Sequence, residues 1–404
     1  MSKLEELIQQ YCPDGVEYKK LGEICLKVCS GGTPSRGNSD YFTGDIPWLR
    51  TQEVDWKDIY DTEIKITEDA VKNSSAKLIP ENCVIIAMYG ATAGKVGINK
   101  IPLTTNQACC NLQINPQKAL YKYVYYWVCN EYEHLKSLGQ GSQKNINAQI
   151  IKEYPIPVPP LPVQEEIVRI LDNFAELQAE LQAELQKRLQ QYNYYRDNLL
   201  SFEGRTDVEW KKLGDVASIK TGRRFVRTDI RESGVPCFHY GDLYTYYGLT
   251  ATDTKGYLDA ELASKLRFAQ PNDVVVVCAG ENDMDIGVGV AWLGNEPAVV
   301  HDACCILHHD QNPRYISHFL RTHNYHLQMK KYVKNGKISS LPSSGLANAL
   351  IPIPSLEEQE KIASILDRFD ALTTDITAGL PAEIEARRKQ YEYYRDQLLT
   401  FKKK

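Results

Sequence analysis

The chain has 404 residues, 43% hydrophobic and 25% charged, with a formal net charge of −5; that composition describes a globular protein of more than one domain and excludes disordered, collagen-like or membrane-embedded chains. The acidic excess lies in residues 1–203 and residues 204–404 are balanced, so neither half has the overall basic charge expected of a protein that binds nucleic acid unaided. Eleven cysteines, an odd number, point to reduced thiols and a cytoplasmic location. Residues 1–6 lack the apolar core of a secretory leader and no apolar run approaches membrane-spanning length, so neither a signal peptide nor a membrane span is expected.

In chain order the expectation is an α+β protein of four segments: a β-rich globular region 1–160, a long helix 161–203, a second β-rich region 204–354 and a second long helix 355–404. The two halves repeat each other. Val16-Glu17-Tyr18-Lys19-Lys20-Leu21-Gly22 returns as Val208-Glu209-Trp210-Lys211-Lys212-Leu213-Gly214. Pro80-Glu81-Asn82 before Val84-Ile85-Ile86 resembles Pro271-Asn272-Asp273 before Val274-Val275-Val276-Val277, in each case a turn that feeds a short buried strand. Ala108-Cys109-Cys110 returns as Ala303-Cys304-Cys305, Gly141 as Gly336, and Ile156-Pro157 as Ile351-Pro352. Residues 33–54 and 223–247, by contrast, share little. A common frame with different loops implies two readers of two different targets.

The first helix is predicted from apolar residues at alternating steps of four and three: Ile167, Leu171, Phe174, Leu181, Leu185, Tyr192, Tyr195, Leu199 and Phe202, interrupted only by Gln178 and Arg188. That spacing is a coiled-coil seam. No Gly or Pro follows Pro162, and the expected length is roughly 60 Å. A helix so long with a single apolar stripe requires a helical partner, and the chain supplies one. Gln164-Glu165 and Ile170-Leu171-Asp172 recur as Gln359-Glu360 and Ile365-Leu366-Asp367, and Tyr194-Tyr195-Arg196-Asp197 as Tyr393-Tyr394-Arg395-Asp396. The second seam runs through Ile362, Leu366, Phe369, Ile376 and Leu380, then Ile384, Tyr391, Tyr394, Leu398 and Phe401. It contains a stutter at Leu380, where Gly379-Leu380-Pro381 should break or kink the helix. The tandem Ala-Glu-Leu-Gln repeats of 175–186 indicate that helix length varies in steps of about one turn.

No catalytic constellation is legible. Gly90 to Lys95 has the wrong glycine spacing for a phosphate loop, and Val96 stands where a magnesium-binding hydroxyl would be required. Asn115-Pro116 and Asn312-Pro313 are not followed by the Pro-aromatic pair of an adenine methyltransferase. His301, Cys304, Cys305, His308 and His309 read as a buried strand with flanking histidines and not as a zinc site, because Asn106-Gln107 stands in the first copy where His301-Asp302 stands in the second. Cys25 and Cys29 read as core. The expectation is a binder without metal or cofactor.

What each globular region offers instead is a set of Gly-containing loops with amide, hydroxyl and cationic side chains. In the first these place Thr33, Ser35, Arg36, Lys95, Asn106, Gln107, Ser142, Gln143, Lys144 and Asn145; in the second Thr221, Arg223, Arg224, His239, Tyr240, Asn282, Lys334 and Lys337. Glycine admits a phosphate to the backbone, Lys and Arg neutralise it, and Arg, Asn and Gln pair with purine edges. Solvated turns are the plain alternative; recurrence at matching places in both copies favours DNA contact.

The duplicated plan resembles the specificity subunit of type I restriction-modification enzymes. The resemblance rests on Leu21-Gly22-Glu23 and Leu213-Gly214-Asp215, on 30–36 (Ser-Gly-Gly-Thr-Pro-Ser-Arg), and on the Ile-Pro…Gln-Glu start, tandem repeat and Tyr-Tyr-Arg-Asp end of the helices. It covers essentially the whole chain. It implies two target recognition domains, each reading half of a bipartite double-stranded DNA site, and two helices packed antiparallel as a spacer. It also implies a non-catalytic chain that recruits two modification subunits, which use S-adenosylmethionine, and restriction subunits that form an ATP-dependent nuclease. Tyr194, Tyr195, Arg196, Tyr393, Tyr394 and Arg395 are the candidates for holding those partners, with plain helix packing as the alternative reading of the tyrosines. The competing functions are a stand-alone methyltransferase or nuclease, disfavoured by the missing cofactor and metal residues, and a non-catalytic scaffold of two domains on a helical strut that binds protein or glycan rather than DNA.

Overall fold

The computed structural model describes residues 3–139, 145–280, 285–334, 336, 338–375 and 378–404. The chain folds as two compact units, Met1–Ala179 with Ala386–Lys404, and Glu180–Glu385. Both are built to one plan. In the first unit a five-stranded sheet has the order 25–30, 109–114, 84–87, 96–99, 58–59, antiparallel except for its last pair. In the second the order is 217–221, 304–309, 274–277, 289–292, 250–251, again with only the last pair parallel. Beside each lies a smaller sheet in which a parallel pair recurs: 46–49 with 104–105, and 235–238 with 298–300.

The apolar runs explain the sheet centres. Val84–Ala87 and Val274–Val277 are buried at every position, as expected of strands covered on both faces. Each is entered through an Asn in the left-handed region, Asn82 at φ +63° and Asn272 at φ +71°, a conformation that Asn tolerates better than most residues. The repeated Val-Glu-aromatic-Lys-Lys segments form short strands that pair with the Ile-Pro segments before each long helix, Tyr18–Lys20 with Pro155–Pro157 and Glu209–Lys212 with Leu350–Ile353.

The first long helix is uninterrupted over Leu161–Leu199 and is about 58 Å long. Pro162 sits in its first turn, where a missing N–H costs no helical bond. Its first half belongs to the first unit, where Ile167 and Leu171 are buried and Phe174 packs on Tyr391 and Tyr394 with ring centroids 6.3 and 5.6 Å apart. Its second half belongs to the second unit, where Tyr192 and Tyr195 stack on Phe369 at 6.4 and 5.4 Å. Early residues of one helical segment thus meet late residues of the other, the antiparallel packing that the family resemblance implied.

Two details differ from expectation. The helix stops at Leu199, so Phe202 is not a seam residue; it lies beyond the helix at φ +47° and is buried in the core of the second unit. The break in the second helix ends at Gly379 and leaves Leu380 and Pro381 inside the next helix: one helix covers Leu356–Thr374 and the next Leu380–Leu399. Pro381 therefore stands in a first turn, where proline is favoured, and the interruption is taken by the residues before it. Ile376 lies outside the described residues.

Each helix is joined to its own globular region by the same device. Asp172 accepts from Lys122 Nζ at 2.7 Å and from Tyr126 Oη at 2.7 Å; Asp367 accepts from Arg314 and, at 2.9 Å, from His318 Nε2. In the first unit the chain ends also pair. Val16 N–H donates to Lys402 O at 2.8 Å and Lys404 N–H to Val16 O at 3.0 Å. Gly15 makes this possible: it has φ +105°, and a Cβ there would lie 2.5 Å from Lys402 O. All eleven cysteines are free, and burial pushes the Cys83 and Cys110 thiols up to about 12, so neither is a reactive thiolate at neutral pH. Among the described residues no helix is long and apolar enough to cross a membrane.

Candidate nucleic-acid interface

At one edge of each five-stranded sheet, the ends of three neighbouring strands and the C-terminal ends of the smaller sheet's parallel pair meet, and the same backbone hydrogen bonds fix the corner in both units. Gly31 N–H donates to Cys109 O at 3.4 Å and Gly32 N–H to Thr105 O at 2.8 Å; Gly222 N–H donates to Cys304 O at 2.9 Å and Arg223 N–H to Val300 O at 3.0 Å. Asn106 N–H reaches Leu49 O at 2.9 Å as His301 N–H reaches Phe238 O at 3.1 Å. Met88 N–H meets Ala108 O at 2.7 Å and Ile146 N–H meets Met88 O at 2.8 Å; their counterparts are Cys278 to Ala303 and Leu341 to Cys278, both 2.8 Å. Even a side chain repeats: Asn106 Oδ1 accepts from Ala108 N–H at 3.2 Å, and His301 Nδ1 from Ala303 N–H at 3.1 Å.

In the first unit this corner gathers most of the sequence-predicted residues. Thr33 Oγ1 bonds Gln107 Oε1, Asn106 is half-buried beside them, and Ser35 and Arg36 are exposed on the loop that follows. Asn145 is brought in from far along the chain, its Oδ1 accepting from Gly90 N–H at 3.2 Å. Lys95 differs. Its Nζ is held by Asp55 Oδ1 at 2.6 Å, so its charge is already matched. Ser142, Gln143 and Lys144 lie outside the described residues, as do Asn282 and Lys337 in the second unit.

The second unit places Thr221, Arg223, Arg224, His239 and Tyr240 at its corner. Arg223 and Arg224 are exposed, and the Arg223 guanidinium donates to Lys265 O at 2.7 Å. Lys334 lies on the adjoining turn, its N–H donating to Ser340 O at 2.8 Å. His239 and His301 are buried side by side, ring centroids 4.9 Å apart with their planes tilted by 54°, with Phe225 5.1 Å from His301 and Tyr240 4.7 Å from His239.

Two further residues at these corners were not among the expected DNA contacts. His301 occupies the position of Asn106, a correspondence visible once Ala108-Cys109-Cys110 is laid over Ala303-Cys304-Cys305. Arg50 occupies the position of His239, because Leu49 pairs with Thr105 as Phe238 pairs with Val300; the only shared residue nearby is the proline three positions earlier, Pro47 and Pro236. Its guanidinium is engaged by Glu53 at 3.4 Å and by Glu63. Among the described residues no group of three or more His, Cys, Asp or Glu side chains could hold a metal ion.

At the helix ends, Tyr194 and Tyr393 are 66% and 62% exposed, each packing edge-on against its neighbour, Tyr195 or Tyr394. Arg196 lies over the Tyr192 ring and Arg395 over the Tyr391 ring, at 5.5 and 5.8 Å, and Arg395 Nε also donates to Asn130 Oδ1 at 2.9 Å. The inner tyrosines and both arginines therefore take part in packing, whereas Tyr194 and Tyr393 remain largely exposed.

A family model described as the type I restriction modification DNA specificity domain matches residues 13–191 and again 206–386. The chain belongs to this family. Members of the type I specificity family are non-catalytic, the catalytic activities residing in other subunits. A type I restriction enzyme specificity subunit of Escherichia coli is 37% identical over 71% of this chain and 72% of its own length. A putative type I specificity subunit of Haemophilus influenzae is 30% identical over 96% of each chain. Among solved structures, a chain of a type I restriction-modification assembly matches at a TM-score of 0.62 and 18% identity, covering 96% of this chain and 98% of that one. The type I specificity subunit of M. genitalium matches at 0.51 and 16%, covering 96% of each. These two likenesses carry the fold.

The histidines of this specificity chain give the units different acid sensitivity. Burial, the leading cause in every case, holds His239, His301, His309, His318 and His326 below the ordinary histidine value, whereas the first unit's one histidine is His134. His318 shows the geometry: its Nε2–H is spent on Asp367 while Tyr192 Oη lies 3.1 Å from Nδ1. A depressed folded-state value means that the unfolded chain binds the proton first, so this stability is complete above about pH 6.5 and is lost as pH falls below it. Hydrogen exchange at about pH 7.5 and 5.5 is expected to show the second unit opening before the first in acid. Equal loss of protection in both units would refute it.

Proposed function

We propose that the chain reads a bipartite double-stranded DNA site, one half through the sheet-edge corner of each unit, and recruits two modification subunits and, with them, restriction subunits in the cytoplasm. One observation supports the DNA reading above the rest: the same backbone hydrogen bonds build both corners, while the side chains they present differ, Thr33, Asn106 and Gln107 in one and Arg224, His301 and Asp302 in the other. A fixed frame with exchanged side chains is what two readers of different base sequences require. The net charge of −5 fits if the modification subunits contribute much of the phosphate contact. Genome-wide methylation mapping with and without the gene tests this: a two-part adenine motif should vanish with the gene, and an unchanged methylome would sink the reading.

Arg223 and Arg224 are proposed phosphate contacts. Replacing both by alanine is expected to weaken binding of the assembled complex and to lower the slope of log affinity against log salt by about 2; an unaltered slope would remove them from the interface. The exposed rings of Tyr194 and Tyr393 are proposed partner contacts, aromatic residues being enriched where protein surfaces meet. Tyr194→Ala with Tyr393→Ala should reduce recovery of modification subunits in co-purification, and undiminished recovery would leave the tyrosines to helix packing alone.

A further inference from the structure

We propose that Trp48, Thr105 and Asn111 are positioning residues for the first half-site: buried beneath the corner of the first unit, they hold the Gly31-Gly32 segment from which Thr33, Ser35 and Arg36 meet the DNA. The assignment rests on the DNA reading above and names what sets its precision. Trp48, Thr105 and Asn111 are 3%, 0% and 1% exposed, so none of them touches a base or a phosphate itself. They reach the loop through hydrogen bonds. The Trp48 indole Nε1–H donates to Gly32 O at 2.9 Å, and Gly32 N–H donates to Thr105 O at 2.8 Å, so both backbone polar groups of Gly32 are held. Asn111 Nδ2–H in turn donates to Thr105 Oγ1 at 2.8 Å. Gly31 lies against the same threonine, where a Cβ would stand 2.0 Å from Thr105 O. Thr33 follows directly and bonds Gln107.

The second corner keeps the backbone bonds but not this clamp. Strand pairing sets Cys237, Val300 and Ile306 at the places of Trp48, Thr105 and Asn111, and none of these side chains carries an indole, hydroxyl or amide group. Both corners fold, so the polar set is not needed to build one. It is also a poor source of stability. Asn111 Oδ1 is buried with no hydrogen-bond partner among the described residues, and an unmatched buried acceptor carries a desolvation cost that an apolar side chain avoids. What the polar set supplies is direction. A hydrogen bond fixes both the distance and the angle of its partner, whereas apolar contact chiefly fills volume. Side chains that pair with base edges depend on such alignment, because donors and acceptors that miss each other lose the readout.

The test uses the chain assembled with its modification subunits. Thr105→Val with Asn111→Ile installs the residues of the second corner, and Trp48→Phe removes the indole N–H while keeping an aromatic ring. Each is expected to relax at least one position in the first half of the methylated motif and to leave the second half and the spacer as they were. The preference of the complex for its cognate duplex over one mismatched in the first half should fall about fivefold or more. The double variant should leave the denaturant midpoint of the first unit unchanged or raised, because both partners of the buried bond are replaced together. A variant that reads the first half as strictly as the unaltered chain removes its residues from the assignment, and both doing so overturns it. A double variant whose midpoint falls, or whose second half relaxes equally, also overturns it, since either marks a general loosening of the fold. All of these outcomes leave a bipartite motif with the unaltered chain; absence of that motif would overturn the DNA reading, and this assignment with it.

Discussion

Gln164→Ala is expected to destabilise the first unit by about 2–5 kcal/mol, measured as a fall in its denaturant midpoint. The side chain is fully buried at the start of the long helix. Its Oε1 accepts from Leu120 N–H at 2.9 Å, and its Nε2 donates to Pro159 O at 2.7 Å and Lys118 O at 3.3 Å. Truncation leaves a backbone donor and two carbonyls in the interior without a partner, each costing about 1–3 kcal/mol unless water enters. Gln359 does the same work in the second unit, accepting from Asn312 N–H at 3.0 Å and donating to Pro354 O at 2.9 Å. Gln164→Glu separates hydrogen bonding from volume. It has the same shape but sets a carboxylate against two carbonyls, so its folded-state pKa should rise. Its cost should then be largest near neutrality and shrink as pH falls toward the ordinary glutamate range. A midpoint that either variant leaves unmoved would mean that the joint is held elsewhere.

Deleting Ala179 to Gln182 is expected to shorten the spacer of the methylated motif by about two base pairs while leaving both half-sites as they are. Four residues amount to about 6 Å of helix, and base pairs stack at roughly 3.4 Å. The excised residues span the boundary between the two compact units and lie in the tandem Ala-Glu-Leu-Gln stretch. Their side chains are half-buried or exposed, so the deletion removes none of the fully buried helix positions Ile167, Leu171 and Tyr192. Methylation mapping reads spacer and half-sites separately. An altered half-site, or a spacer that does not change, would separate helix length from target geometry and refute the prediction.

The fold was legible because its signals are local and repeated. A seam at steps of four and three needs no knowledge of the partner to predict a helix, and two matching helix ends in one chain identify that partner. The buried runs at Val84 and Val274 declared central strands for the same reason. The site was only partly legible. Gly31, Thr33, Asn106 and Gln107 converge as the loop residues implied, but Lys95 is committed to Asp55, forty positions away in sequence, which no local pattern could reveal. Arg50 was missed because its equivalence to His239 is defined by strand pairing, and the loops that carry the two share no residues.

The sequence by itself determined that this is a duplicated chain of two β-rich regions and two long helices, because periodicity and repetition are properties of neighbours along the polymer. Only the tertiary structure decided which half of each helix belongs to which unit, that Gln164 and Gln359 pin the helices to their globular regions, and that two imidazoles are buried side by side in the second corner. The physical reason is the same in each case. A hydrogen bond or an ion pair acts over about 3 Å, and residues remote in the chain come within that range only after the strands have paired and the helices have docked.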